Sequence, residues 1–241
     1  MPELPEVETV VRDLRRHGLE NSAIIGVDVR WPRTLAETTA AQFRRSLSGR
    51  VITGVSRRAK YIVLGLDNGD RLLIHLRMTG KLRLAAPRQR TGKHDHVVIR
   101  LSGGRRLVFN DTRKFGRFRL VSGGADPLQA LGPEPLSDSF TADALQKRLR
   151  GKTGRVKPLL LDQTRVAGLG NIYVDEALWQ ARINPERRAD TLDRNEISRL
   201  HRAIREVLRR AVANDGTTLG TGLDNFYSVA GKRGRNADAL K

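Results

Sequence analysis

The period of the hydrophobic pattern changes once along this chain, near residue 122, and that change bounds the fold class. Before it, apolar residues alternate. Ile25, Val27, Val29 and Trp31 occupy every second position, as in a half-buried strand. The runs 51–66 and 71–78 read as two strands joined at Asp67-Asn68-Gly69-Asp70, because Asn-Gly is a strong hairpin signal. A second hairpin is predicted from 96–101 through Gly103-Gly104 to 106–110, and 117–121 adds a strand. Val7, Val10, Val11 and Leu14 fall at helical spacing, which places one amphipathic helix over 3–17. Beyond residue 122, Gly123-Gly124 and Leu131-Gly132-Pro133-Glu134-Pro135 read as a linker. Residues 141–213 then carry helical patterning. Over 194–213, Ile197, Leu200, Ile204, Val207 and Leu208 share one face, and Asp193 with Glu196 makes a capping box. The other face holds Arg199, Arg202, Arg205, Arg209 and Arg210, read as solvated rather than bound to DNA. The fold class is therefore α+β: antiparallel strands with a flanking helix, then helices.

Charge narrows the partners. The 241 residues include 45 Lys+Arg against 26 Asp+Glu, a formal charge of +19. Such an excess favours a polyanion, most simply nucleic acid. A basic membrane-surface protein is the competing class. It needs a cationic helix with bulky apolar residues, and the only candidate, 194–213, has no aromatic residue. No stretch approaches the ~20 apolar residues of a span, and positions 3, 6 and 8 are acidic where a targeting peptide is basic. The expectation is a cytoplasmic protein, monomeric and free of membrane. The absence of cysteine excludes disulfides and thiolate metal sites within the chain. The five histidines show no metal-ligand spacing, and His94 and His96 alternate along a strand, so no metal site is predicted.

The chain opens Met1-Pro2-Glu3-Leu4-Pro5-Glu6. Once Met1 is removed, Pro2 presents a secondary amine with the Glu3 carboxylate beside it. An N-terminal amine with a pKa near ~8 keeps a reactive unprotonated fraction at neutral pH and forms a Schiff base with an aldehyde carbon. The competing reading is that Pro2 and Pro5 only shape the start of the first helix.

Several strings decide between them: PELPEVETVV at the start, RRAKY at 57–61, HLRMTGKL at 75–82, KHDH at 93–96, DTRKFG at 111–116, LGPEPL at 131–136 and GLGNIYVDEALW at 168–179. Together, in register across residues 1–218, they resemble the bacterial formamidopyrimidine-DNA glycosylases. The resemblance implies an N-terminal β-sandwich catalytic domain over 1–122, a linker over 123–140, and a helical DNA-binding domain over 141–218 with a helix–two-turns–helix motif. Residues 219–241 would hold a lesion-recognition loop and the start of a zinc finger. It further implies base-excision repair: removal of oxidised purines (8-oxoguanine, formamidopyrimidines) from damaged double-stranded DNA, followed by strand cleavage at the abasic site.

Pro2, Glu3 and Lys60 are the catalytic residues that the resemblance implies. Pro2 would attack the sugar C1′, Glu3 would act as general acid/base at the ring oxygen, and Lys60, read as lying inside a strand, would contact phosphate and assist elimination. Glu6 shares the first helical turn and is read either as support for the site or as a charge at the helix N-terminus. Met78 and Phe115 are expected to fill the gap left by an extruded base, and Arg113 to meet the orphaned base opposite. His75, His94, Lys152, Lys157 and Asn171 match family positions near phosphate. Gly168-Leu169-Gly170-Asn171 is read as a glycine-rich turn at a helix N-terminus, open to the DNA backbone. Phosphate contacts of this kind position the protein without reading sequence.

Two departures from the family pattern stand out. The family continues into a four-cysteine zinc finger, whereas this chain stops at Asp238-Ala239-Leu240-Lys241. The expectation is a truncation with weakened duplex binding and little excision, with zinc confined to a longer form. Residues 217–235 do not match the lesion-closing loop residue by residue, which leaves lesion choice open. Pro-Glu-Leu-Pro-Glu favours the oxidised-purine branch over the oxidised-pyrimidine one. The alternative class is a DNA-damage-binding protein that keeps the scaffold without catalysis.

Overall fold

A computed structural model describes residues 1–123, 126–219 and 225–240 of the chain. The N-terminal half runs α1 (Leu4–Arg16), β1 (Ile24–Val29), α2 (Ala40–Leu47), β2 (Ile52–Arg58), β3 (Tyr61–Leu66), β4 (Arg71–His75), β5 (Lys81–Ala85), β6 (Asp95–Leu101), β7 (Arg106–Asn110) and β8 (Arg117–Val121). These strands form two four-stranded antiparallel sheets, ordered β1-β6-β7-β5 and β2-β3-β4-β8. Their inner faces share one core, in which Val27, Ile99 and Phe109 from the first sheet meet Ile62, Leu64 and Phe118 from the second. Phe109 and Phe118 touch edge to face with centroids 5.0 Å apart. Helix α1 lays Val7, Val10, Val11 and Leu14 against this core, which is why its apolar residues repeat at helical spacing.

Three local readings of the sequence change. The run 51–66 is two strands, not one, because Ala59 takes a left-handed φ of 53° and the chain turns at Ala59-Lys60. Lys60 therefore sits in a hairpin turn and not within a strand. In β1 the pairing register shifts between Ile24 and Gly26, so Ile25 is the extra residue of a bulge and faces solvent. Helix α2, capped by Thr39 accepting from the Gln42 N–H at 3.2 Å, is a second helix on the sandwich that periodicity did not single out.

The C-terminal half holds α3 (Ala142–Leu149), α4 (Val156–Leu161), α5 (Asn171–Ala181) and α6 (Arg194–Ala213) around a second core centred on Tyr173, Val174, Leu200 and Ile204. On α6 the apolar face is buried as the pattern requires, and Arg205 donates to the carbonyls of Ser137 (2.5 Å) and Pro135 (3.3 Å). Residues 126–140 are packed down: Phe140 is buried in the second core, and Gly132 N–H donates to Gln163 O at 2.8 Å. Leu4 belongs to the second core while Val7 belongs to the first, so α1 begins in the seam between the halves. Residues 225–240 fold back on the sandwich, where Phe226 and Val229 join its core. Residues 220–224, within the expected lesion loop, lie outside the described residues. No helix among the described residues is long and apolar enough to cross a membrane.

Candidate active site at the chain start

The N-terminal segment lies in a cradle of glycines. Leu4 N–H donates to Gly168 O at 3.1 Å. A Cβ on Gly168 would meet Leu4 Cδ1 at 2.7 Å, and one on Gly216 would meet Glu6 Oε1 at 2.8 Å. At Gly170 a Cβ would lie 2.5 Å from Glu3 Oε1 and 2.8 Å from Glu3 Cγ. Glycine is required at these positions for close approach, and at Gly168 and Gly216 also for φ of +86° and +81°. Pro2, Glu3 and Glu6 are all buried by this packing.

Glu3 caps α5. Its Oε2 accepts the Gly170 N–H at 2.7 Å and its Oε1 the Ile172 N–H at 3.0 Å. Two backbone N–H groups at this helix start thus hold the Glu3 carboxylate. Burial pushes the Glu3 pKa up to about 7, aided by the Glu6 charge and opposed by Lys60 and the two backbone donors. Glu6 accepts the Glu3 N–H at 2.8 Å, the Thr217 N–H at 2.7 Å and the Tyr173 hydroxyl. It is therefore both the capping partner of α1 and the bridge from the chain start to α5 and residue 217. Burial raises its pKa as well, and these donors oppose the rise.

Lys60 is 6 % exposed. Desolvation lowers its pKa, while the charges of Glu3 and Glu6 resist that fall. His75 closes the same region. Its Nδ1 accepts the Arg77 N–H at 3.0 Å, which leaves Nε2 as the donor of a neutral ring. Burial first, then the Arg77 and Lys60 charges, depress its pKa to about 3. The structure therefore brings Pro2, Glu3, Glu6, Lys60 and His75 into one buried cluster. Its carboxylates favour protonation and its lysine favours deprotonation.

A second group of residues presents apolar side chains outward. Met78 and Phe115 are 39 % and 46 % exposed, so neither is a core residue. Their loops are tied together by buried Asp111, which accepts from the Thr79 hydroxyl, from Arg113 N–H at 3.2 Å and from Gly116 N–H at 2.8 Å. The Arg113 guanidinium lies 4.9 Å from the Phe115 ring, and Lys114 Nζ lies 4.0 Å from the Trp31 ring. An exposed methionine, phenylalanine and arginine on one rigid support are suited to entering a base stack.

Comparison with known proteins agrees with this geometry. Residues 1–118 match the model of the formamidopyrimidine-DNA glycosylase N-terminal domain, and residues 131–222 that of the formamidopyrimidine-DNA glycosylase H2TH domain. The formamidopyrimidine-DNA glycosylase of Herpetosiphon aurantiacus is 45 % identical over 98 % of this chain and 86 % of its own length. That of Pelotomaculum thermopropionicum is 47 % identical over 93 % and 82 %. The chain belongs to the formamidopyrimidine-DNA glycosylase family. Among solved structures, the Lactococcus lactis enzyme in complex with DNA containing Fapy-dG superposes with a TM-score of 0.88 at 38 % identity, covering 99 % of this chain and 86 % of that one.

Within this glycosylase the remaining expected DNA contacts are dispersed. Lys152 and Asn171 are exposed, Asn171 as the first residue of α5. Lys157 is paired with Asp175, Nζ to Oδ1 at 2.7 Å, a partner the sequence did not flag. His94 is half-buried, its ring 6.4 Å from that of His96. Tyr173, Thr217 and Asp111, which hold Glu6 and the Met78 and Phe115 loops, carried no signal in the sequence reading, although Tyr173 and Asp111 lie inside the quoted strings. The sequence has no cysteine, and no group of three or more His, Asp or Glu among the described residues can hold a metal.

Proposed function

We propose that this base-excision glycosylase removes oxidised purines from damaged double-stranded DNA and then cleaves the strand at the abasic site. The supporting observation is the buried cluster of Pro2, Glu3, Glu6 and Lys60 at the chain start, in a family whose Lactococcus lactis member is seen bound to Fapy-dG DNA. Residues 1–122 supply the chemistry, 141–218 the main DNA-binding surface, and 123–140 connect them. Met1 precedes Pro2 in the sequence, so amine chemistry begins only after its removal.

The free Pro2 nitrogen attacks C1′. The C1′–N bond to the base breaks, and the base leaves with that electron pair and takes up a proton. Glu3, whose pKa burial raises to about 7 so that a protonated fraction persists at neutrality, donates its proton to the ring oxygen as the sugar opens. The imine at C1′ acidifies C2′–H. Loss of that proton expels the 3′ phosphate, and a second elimination expels the 5′ phosphate. Lys60, its pKa lowered by burial, assists proton removal and contacts phosphate. Water then hydrolyses the imine and frees the amine. His75, with its neutral Nε2–H, together with His94, Lys152, Lys157 and Asn171, binds backbone phosphates. Met78 and Phe115 fill the vacated stack, and Arg113 faces the base opposite, with cytosine preferred. The enzyme works as a cytoplasmic monomer on the nucleoid, away from membranes.

Borohydride trapping on duplex DNA with one abasic site opposite cytosine tests this reading, after mass spectrometry confirms loss of Met1. A covalent adduct that Pro2→Gly reduces supports imine chemistry at the chain start. A correctly processed protein that binds the duplex and yields no adduct refutes it.

A further inference from the structure

The Leu131–Leu136 string has no part in the chemistry above, yet its one acidic residue reaches the active-site lysine's turn. Glu134 Oε1 accepts the Ala59 N–H at 2.5 Å and the Arg58 guanidinium at 3.0 Å. Its Oε2 lies 2.8 Å from the Arg57 guanidinium. Arg57 in turn donates to Ala59 O at 3.0 Å and to Glu8 Oε2 at 2.9 Å. Both backbone polar groups of Ala59 are thus held, one by Glu134 directly and one through Arg57. Ala59 is also the residue with φ of 53°, a region that a side-chain-bearing residue occupies at a cost. Lys60 follows it immediately.

Glu134 is itself fixed. Arg58 donates to Leu131 O at 3.0 Å and Gly132 O at 2.6 Å. Gly132 N–H donates to Gln163 O, and Ala167 N–H to Pro133 O. The Gln163 side chain then donates to Leu169 O at 2.8 Å and accepts the Gly168 N–H at 2.9 Å. The turn that seats Leu4 and Glu3 is thereby braced against the loop that carries Glu134.

We infer that Glu134 is a positioning residue for Lys60, holding the Ala59-Lys60 turn in its left-handed form so that the lysine stays in the cluster with Glu3. This rests on the proposed role of Lys60 in strand cleavage. Removing the carboxylate frees the Ala59 N–H and lets the turn relax toward ordinary φ, which withdraws the lysine. Glycine at 59 adopts positive φ without that penalty and needs the clamp less.

The test is a double-mutant cycle on the full chain with Met1 removed. Single-turnover cleavage of a preformed abasic duplex is read together with affinity for an uncleavable abasic analogue and with Tm. Lys60→Ala and Glu134→Ala are each expected to slow cleavage by roughly 10- to 100-fold, with affinity within about threefold. Glu134→Ala added to Lys60→Ala is expected to cost nothing more. Ala59→Gly added to Glu134→Ala is expected to recover most of the loss, even if both proteins melt lower than the parent. If Lys60→Ala is slow and Glu134→Ala is normal, the inference falls and the function stands. Multiplying losses in the Lys60/Glu134 pair, or no rescue by glycine, also overturn it. Normal cleavage by Lys60→Ala overturns the lysine's role and the inference with it.

Discussion

Gly170→Ala separates the two things a glycine-rich turn at a helix start can do. The backbone at Gly170 has φ −133° and ψ −165°, which alanine adopts freely, so no backbone strain confounds the result. The added methyl would instead overlap the Glu3 side chain, 2.8 Å from Cγ. Glu3 must leave its seat and forfeit hydrogen bonds to Gly170 N–H and Ile172 N–H, of 2.7 and 3.0 Å. A hydrogen bond to a charged group contributes about 1.5–3 kcal/mol. Losing one displaces the acid enough to raise the excision barrier by about 2 kcal/mol, or roughly 30-fold in rate, and losing both approaches about 1000-fold. The assay is single-turnover excision of an oxidised purine opposite cytosine, beside affinity for an uncleavable abasic duplex. Affinity is expected to stay within about threefold. If affinity falls by roughly tenfold or more while the excision rate holds, the turn serves phosphate rather than Glu3, and the reasoning fails.

Other expectations follow from the same geometry. Glu3 is raised from 4.5 to about 7, so its acid form survives at neutrality, and excision should decline as pH rises through about 7. Cleavage of a preformed abasic site, whose hemiacetal also opens to the aldehyde in solution without the enzyme, should show a weaker limb in a parallel pH–rate series. The same shift means that Glu3 favours folding fully below pH 4.5 and loses that contribution by about 7, on the order of 3 kcal/mol. Urea midpoints of the parent and Glu3→Ala across that range would reveal it as a parent advantage at low pH that shrinks as pH approaches about 7. Arg113→Ala should relax opposite-base preference more than it weakens binding to a bare abasic site; equal losses on every pairing would contradict its assigned place. Asp111→Ala should slow excision from duplex while leaving cleavage of single-stranded abasic DNA near normal, because only the duplex requires the Met78 and Phe115 loops to enter together. Affinity should also fall steeply with added salt, as expected when several phosphates are neutralised, and a flat salt titration would argue against a phosphate-binding surface.

The parts of this molecule that were legible in the sequence are those whose cause is local. The β-to-helix change, the Asn68-Gly69 turn and the α6 capping box each follow from residues a few positions apart. The break at Ala59-Lys60 was not legible, because alanine carries no signal for left-handed backbone and the conformation is held from Glu134, far along the chain. The Ile25 bulge likewise depends on pairing with β6. At the site, residue types pointed to chemistry: an amine-bearing proline, a carboxylate and a lysine. Their mutual arrangement did not, since Glu3 finds its partners at Gly170 and Ile172. Tertiary packing, which no local pattern records, brings Glu3 onto the start of α5.

The proposed mechanism puts the reactive amine at the chain start, and the fold ties that start down through Glu6. A chain terminus frays unless it is tied down, and a nucleophile on a frayed end is poorly aimed. Here the first residues cannot rely on helix hydrogen bonds, because the N–H groups of a first turn have no intrahelical acceptors. Glu6 supplies one to Glu3 N–H, and the same carboxylate is gripped from outside by Tyr173 and Thr217. Thr217 is in turn held by Asn236, whose amide donates to its hydroxyl at 3.1 Å. The chain start is therefore fixed by α5, by the segment after α6 and by the final described residues together, across both hydrophobic cores. Burial of this anchored segment raises the pKa of Glu3, and the neighbouring Glu6 charge adds to the rise. The packing that fixes the chain start is thus also what buries Glu3, so on the proposed mechanism anchoring of the amine and protonation of its neighbour share one cause.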